Sequence, residues 1–301
     1  MTSSILLVAH GTVESLDQLP AFVSEIRRGR PAPAGLLEEL RHRYEVVGGS
    51  PLLRLTHELA RAIEAHSGLT TRVAMRLWEP RVERVLASAQ PTDRVALVAL
   101  APYSVHVYEA AARRSLQGLP TPPQLVCVGP WGLEPELVRA WADQIAPFDP
   151  PEGRAHRALI LTAHSLPLSV VRRGDPYADQ FEAGARSIEA ALGRPCRVAY
   201  QSQGASDEEW LGPGLAETLA AVAAEGFREV VVAPVGFLAE HIETLFDLDV
   251  EARQKADELG LSWARVPTLD VAPGLVALLS RLAREQLEAG EGVAIPGGGR
   301  H

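Results

Sequence analysis

His164 stands at the end of an apolar run, in Ala163-His164-Ser165-Leu166-Pro167, and a second stretch, Gly236 through Glu251, is unusually acidic for so apolar a context. Within that stretch Glu243, Asp247 and Glu251 recur at i, i+4 and i+8, a spacing that puts three carboxylates on one face of a helix. Like charges so arranged repel, at a cost of about a few tenths of a kcal/mol per pair. One reading of the pattern is a plain solvated face. The other is a file of carboxylates that relays hydrated cations or protons toward His164. An imidazole with carboxylates and no thiolate suits a borderline divalent ion such as Fe²⁺, bound in transit rather than kept. A neutral imidazole, with a reference pKa of about 6.5, also accepts protons near neutral pH.

The elements that must position these groups alternate along the chain. Ile5–Ala9, Thr71–Met75, Arg94–Ala101 and Gln124–Val128 read as buried strands, and Leu36–Tyr44, Pro51–His66 and Glu134–Gln144 as helices between them. After the Pro-rich stretch Pro147–Gly153 the rhythm restarts. Strands are expected at Ala158–Ala163, Arg197–Tyr200 and Glu229–Pro234, and helices at Ala178–Leu192, Gly214–Gly226 and Glu240–Leu259. Such alternation implies parallel sheets covered on both faces. The halves also echo one another. Ile5 through Thr12 is mirrored by Leu159 through Leu166, each an apolar strand ending in Ala-His, and Val95 through Pro102 is mirrored by Val230 through Phe237. The expected architecture is α/β: two similar doubly wound parallel-sheet domains facing a cleft, over residues 1–150 and 151–289, with a disordered Gly-rich tail at 290–301. In open α/β sheets ligands bind beyond the carboxyl ends of the strands, and His10, His164 and Glu240–Glu243 all follow such ends.

Bulk composition narrows the function. With 47% hydrophobic and 22% charged residues in 301, the chain has the makings of a well-packed globular protein. A formal charge of −9 argues against a nucleic-acid partner, since the basic cluster Arg27-Arg28-Gly29-Arg30 is short. Cys127 and Cys196, far apart in strand-like surroundings, read as buried reduced thiols, and they are too few to ligate an iron–sulfur cluster. The start lacks a basic n-region, and no segment approaches the roughly 20 apolar residues that span a bilayer. The chain therefore reads as cytoplasmic, without stable membrane anchoring.

Several stretches, in order and at compatible spacing from about Leu6 to Leu279, resemble the ferrochelatase family. They are Ile26 to Pro31, Arg43 to Leu52, Ala163 to Pro167, Gly174 to Gln180, Tyr200 to Gly204, Trp210 to Pro213, and Pro234 through His241, Glu243 and Asp249. The resemblance implies two similar α/β domains around a porphyrin cleft and the insertion of Fe²⁺ into a porphyrin, with release of two protons, in heme biosynthesis. It implies that His164 and Glu243 bind the incoming metal and take the pyrrole protons, with Asp247 and Glu251 on an acidic face leading outward. It places Arg43, Ser50 and Tyr108 where porphyrin propionates are held, which suits a guanidinium and hydroxyls as donors. Fe²⁺ and the porphyrin are then substrates, no cofactor is permanently bound, and a monomer is expected. Ala163 to Pro167 together with Gly174 to Tyr177 is closest to the soluble bacterial enzymes acting on coproporphyrin III. Enzymes for protoporphyrin IX are the alternative branch, and a non-catalytic tetrapyrrole- or metal-binding relative is the alternative class.

The sequence departs from the family at its start. Soluble bacterial relatives begin Ala-Tyr-Gly-Thr-Pro-Tyr, whereas this chain has Ala9-His10-Gly11-Thr12-Val13-Glu14. Glu14 thus replaces the tyrosine on the porphyrin face away from His164, leaving His10 and Glu14 as candidates for that side. The opening Ala-His-Gly also resembles the small cobalt chelatases of the sirohydrochlorin pathway.

Overall fold

The computed structural model describes residues 2–204 and 208–289, so the tail at 290–301 lies outside the described residues. In the first half β1 (Ser3–Ala9), β2 (Thr70–Met75), β3 (Arg94–Ala99) and β4 (Gln124–Cys127) alternate with α1 (Leu19–Ile26), α2 (Leu36–Val47), α3 (Leu52–Ser67), α4 (Val82–Ala87), α5 (Val105–Gln117) and α6 (Pro135–Ile145). The second half has β5 (Arg157–His164), β6 (Arg197–Gln201), β7 (Glu229–Ala233) and β8 (Ser262–Arg265). Its helices are α7 (Leu168–Arg172), α8 (Tyr177–Leu192), α9 (Leu215–Ala224), α10 (Arg253–Glu258) and α11 (Pro273–Ala289). Unbroken apolar runs become central strands because helices cover both faces: Ile5 to Ala9 and Ala158 to Ala163 are all buried.

The sheets are all parallel and share one strand order, β2-β1-β3-β4 and β6-β5-β7-β8. Their registers repeat as well. Ile5 pairs with Ala96 in the first sheet, and their counterparts Leu159 and Val231 pair in the second. The mirrored sequences are thus mirrored structures. In both sheets the order reverses beside the first strand, so the crevices open at the ends of β1 and β3 and of β5 and β7. His10 follows β1 directly and His164 is the last residue of β5.

Three features depart from the sequence reading. The fourth strand of the second sheet, β8, was not expected: Ser262-Trp263-Ala264-Arg265 is an edge strand with only β7 beside it and has no apolar run. The helix expected over Glu240–Leu259 is not a regular α-helix. It starts at Ile242, and Thr244–Ala252 is π-helical, ending with the Arg253 N–H on the Leu248 carbonyl five residues back. Glu240 and His241 lie in the turn before it. Finally, the C-terminal helix crosses back: α11 packs on α3, α6 and β3, elements of the first half. A division of the chain at residue 150 therefore follows the sheets but not this helix. Core residues from both halves, Ile5 to Leu287, form one continuous cluster.

Candidate active site

One cavity between the halves collects the strand ends. It is lined by His10, Arg76 and Tyr108 from the first half and by His164, Asp175, Tyr177, Phe237, His241 and Glu243 from the second. The backbone of His164 is secured by Tyr177, whose hydroxyl donates to its carbonyl at 2.9 Å. Gly236 holds the neighbouring loop close, its N–H donating to the Thr162 carbonyl at 2.9 Å.

His164 and Glu243 do meet. The Glu243 Oε2 atom lies 3.6 Å from His164 Nε2, and on its other side 3.5 Å from His241 Nε2. His164 Nδ1 faces the Ser165 carbonyl, which can only accept, so Nδ1 carries the proton and Nε2 the lone pair. His241 is arranged alike. The Thr244 hydroxyl donates to Glu240 at 2.6 Å, so it accepts from His241 Nδ1 at 3.3 Å and leaves that Nε2 with its lone pair too. Two imidazole lone pairs and a carboxylate then converge, an arrangement that repels unless a cation, proton or metal ion, lies among them. Among the described residues no group of three or more His, Cys, Asp or Glu side chains forms a ready metal cage. The three groups flank a passage rather than close a coordination sphere.

Electrostatics follow from that geometry. Burial alone would raise the Glu243 carboxyl, but the facing His164 and His241 hold it well below the usual carboxylate range. Burial would lower the His164 imidazole, and the Glu243 charge outweighs it and raises the pKa. The lowered carboxyl and the raised imidazole are two sides of one coupling between Glu243 and the facing His164. Behind it, Glu240 binds Arg265 at 2.6 Å and receives the Thr268 N–H at 3.1 Å, while Arg265 also grips Asp249 at 2.6 and 2.9 Å. This network fixes the turn that carries His241.

The outer carboxylates are engaged by Arg43. Its guanidinium reaches Asp247 at 2.8 Å, Glu251 at 3.4 Å and Glu39 at 2.7 Å, so Arg43 stands over the acidic file and not in the cavity. Asp247 also accepts from the Ser202 hydroxyl. The file survives the change of helix type, since Arg43 touches both Asp247 and Glu251. Of the residues expected at the propionates, Tyr108 lines the cavity, whereas Ser50 lines a separate depression with Glu14 and Tyr44. Glu14 is exposed there and does not face His164; His10 does. Arg76 and His241 are the site residues that sequence reasoning missed. A single arginine after a strand carries no signal, and His241 lay in view only as part of a matching stretch.

The cysteines are free and half-buried, at the last residue of β4 and just before β6, with burial pushing each thiol up to about 12.

A family model described as Ferrochelatase matches residues 2–287. The chain belongs to the ferrochelatase family. Ferrochelatases are metal chelatases that insert Fe²⁺ into a porphyrin on the way to heme. The Ferrochelatase of Acidobacterium capsulatum is 33% identical over 308 residues, covering 95% of each chain. The Coproporphyrin III ferrochelatase of Geobacillus kaustophilus is 31% identical over 311 residues, covering 96% of this chain and 98% of that one. Among solved structures, SirB from Bacillus subtilis with Fe³⁺ aligns over 97% of this chain and 98% of its own, with a TM-score of 0.58 and 15% identity, a likeness of fold. Here the strand ends of both sheets supply the walls of the cavity between the halves. No helix among the described residues is long and apolar enough to cross a membrane.

Proposed function

We propose that this ferrochelatase acts on coproporphyrin III, and that His164 and Glu243, joined by His241, form the inner site through which Fe²⁺ enters the ring and the pyrrole protons leave. The observation that carries the site assignment is the Glu243 carboxylate set between two imidazole Nε2 atoms at 3.5 and 3.6 Å, both lone pairs turned inward.

Insertion exchanges two N–H protons for one M²⁺. In a flat ring the nitrogen lone pairs point inward, so the ion must shed water while the ring bends to receive it. Holding the periphery converts binding energy into that distortion. Asp247 and Glu251 collect the hydrated ion, Glu243 and the imidazoles replace its water, and His164 with Glu243 accepts the displaced protons. Tyr108 supplies a donor inside the cavity. Ser50, whose buried hydroxyl oxygen has no hydrogen-bond partner, is suited to a substrate carboxylate at the adjoining depression. Arg43, already paired with Asp247, belongs in this reading with the metal side rather than with the propionates. The choice of coproporphyrin is supported by relatives that carry it in their names, from Geobacillus kaustophilus and Bacillus subtilis, each 31% identical to this chain.

The test is anaerobic turnover with Fe²⁺ and each porphyrin. His164→Ala is expected to lower insertion by about 100-fold or more while coproporphyrin binding, read by quenching of its fluorescence, is nearly unchanged. Near-normal turnover by that variant would remove His164 from the reaction. A kcat/KM for protoporphyrin IX equal to or above that for coproporphyrin III would overturn the substrate assignment.

A further inference from the structure

The duplicated fold puts a histidine at the end of the first strand of each sheet, and the two are held in opposite tautomers. His164 keeps its proton on Nδ1, toward the Ser165 carbonyl. His10 instead has Nδ1 3.2 Å from Nη2 of Arg76. A guanidinium has donors only, so His10 Nδ1 must accept, and its proton resides on Nε2. Arg76 is well placed to impose this. Its own N–H donates to the Ala9 carbonyl at 2.8 Å, the next residue's N–H donates to the His10 carbonyl at 2.9 Å, and its guanidinium lies 5.5 Å over the Tyr108 ring. The second half has no such cation. There the strand register sets Gln201 beside His164, in the place that corresponds to Arg76.

We propose that Arg76 makes the two walls of the cleft chemically unequal, so that His164 offers a lone pair to metal and protons while His10 offers only an N–H, donated to an unprotonated ring nitrogen of the porphyrin. This rests on His164 being the metal-side residue. A free-base porphyrin carries two N–H and two unprotonated nitrogens. A donor on the His10 wall draws an unprotonated nitrogen toward itself and leaves the N–H groups turned to His164 and Glu243. No bond breaks at His10: its proton stays on Nε2, and both pyrrole protons leave on the other side as Fe²⁺ arrives. The Arg76 guanidinium, 3.2 Å from Nδ1, opposes a second proton on the His10 ring and lowers its pKa. Arg76 is in this sense a positioning residue, acting through His10.

Long-range ¹H–¹⁵N spectra of histidine-labelled protein read the tautomers directly. His10 is expected as the Nε2–H form and His164 as the Nδ1–H form, with Arg76→Met moving the His10 nitrogens. A His10 in the Nδ1–H form, or one indifferent to Arg76→Met, would overturn the lock. Co²⁺ titration without porphyrin is expected to lose affinity in His164→Ala but not in His10→Ala; a loss in His10→Ala would make His10 a ligand and refute the proposal. In turnover, His10→Leu should lower kcat about tenfold, the worth of one hydrogen bond, with KM for Fe²⁺ unmoved. His10→Gln, which restores an N–H donor that cannot titrate, should recover most of that loss, and a variant as slow as His10→Leu would exclude the donor role. The spectra are read without turnover, so a failure of the His164 assignment is seen separately from a failure of the Arg76 lock.

Discussion

Arg43 Nη1 meets Asp247 Oδ1 at 2.8 Å and so ties α2 of the first half to the π-helical turn of the second. The contact is unequal in burial: the Asp247 side chain is 8% exposed and that of Arg43 23%. Asp247 is thus a carboxylate removed from water, with Arg43 and the Ser202 hydroxyl as its compensation and Glu243 and Glu251 as its repelling neighbours. The carboxylate file is thus only partly neutralised.

That balance predicts a pH dependence of stability. Burial, with repulsion from Glu243 and Glu251, outweighs Ser202 and Arg43 and raises the Asp247 carboxyl to about 6. An unfolded Asp titrates near about 3.9. Between these values the folded state holds a proton that the unfolded state releases, so the Asp247 contribution to stability falls as pH rises through this window. Compared with Asp247→Asn, the wild type should lose at most about 3 kcal/mol between about pH 4 and pH 7. Urea unfolding of both proteins across that range measures it, and a pH-independent difference would mean that Asp247 titrates normally.

Glu243→Gln should have two linked effects. It removes the anion that raises His164, so the imidazole, left to burial, titrates at lower pH. On the proposed assignment it also removes a proton acceptor and a metal-facing oxygen, so insertion should fall about 100-fold with porphyrin binding retained. NMR titration of His164 and single-turnover insertion test both; an unchanged His164 titration would show that Glu243 does not control it.

Asp149 predicts a stability effect remote from the chemistry. It lies in the segment between the two sheets, fully buried, and is met by Arg154 at 3.0 Å, Arg157 at 3.6 Å and Arg194. The side chains of Arg157 and Arg194 are themselves only 13% and 11% exposed, so removing the anion strands the Arg194 cation away from water, while Arg157 keeps Glu229 at 2.8 Å. Asp149→Leu should cost about 3 kcal/mol or more, visible as a lower urea midpoint with an unchanged kcat in the surviving folded fraction. A loss below about 1 kcal/mol would mean that the guanidiniums find other partners.

How much of this was readable from the chain depends on what each feature needs. The central strands and the repeat are legible because an unbroken apolar run before Ala-His has few other uses, and the paired registers of Ile5–Ala96 and Leu159–Val231 follow from it. The edge strand β8 is not, since an edge needs no continuous apolar run. The buried Leu275, Leu278, Leu279 and Leu282 carry a helical period for α11, but no local pattern says that it packs on the first sheet. His164 and Glu243 stand out by following strand ends. Arg43 was legible as a donor but not as one occupied by Asp247, because the partner is 204 residues away. The π-helical turn is hidden too: over two turns it leaves Glu243, Asp247 and Glu251 on roughly the side an α-helix would.

Gly236 shows how closely the site depends on strand packing. A Cβ added there would lie 2.5 Å from the Cβ and 2.7 Å from the Cα of Ala163, the residue before His164. The need is for space, since this glycine is not among those with positive φ. On its other side Phe237 packs on His241, ring centroids 4.9 Å apart. Gly236→Ala must therefore push the end of β5 away from the turn that carries His241 and the helix start that carries Glu243, separating the groups that face one another across Glu243. Overpacking of this kind costs about 1–3 kcal/mol, and a small misplacement of reacting groups slows the reaction by about tenfold or more. The expected outcome is a loss of kcat larger than the change in porphyrin binding. Gly214→Ala is the control, because its added Cβ meets nothing within 4 Å and its φ is −70°. If the two variants turned over alike, close packing of Gly236 on Ala163 would not be what sets the distance between His164 and Glu243.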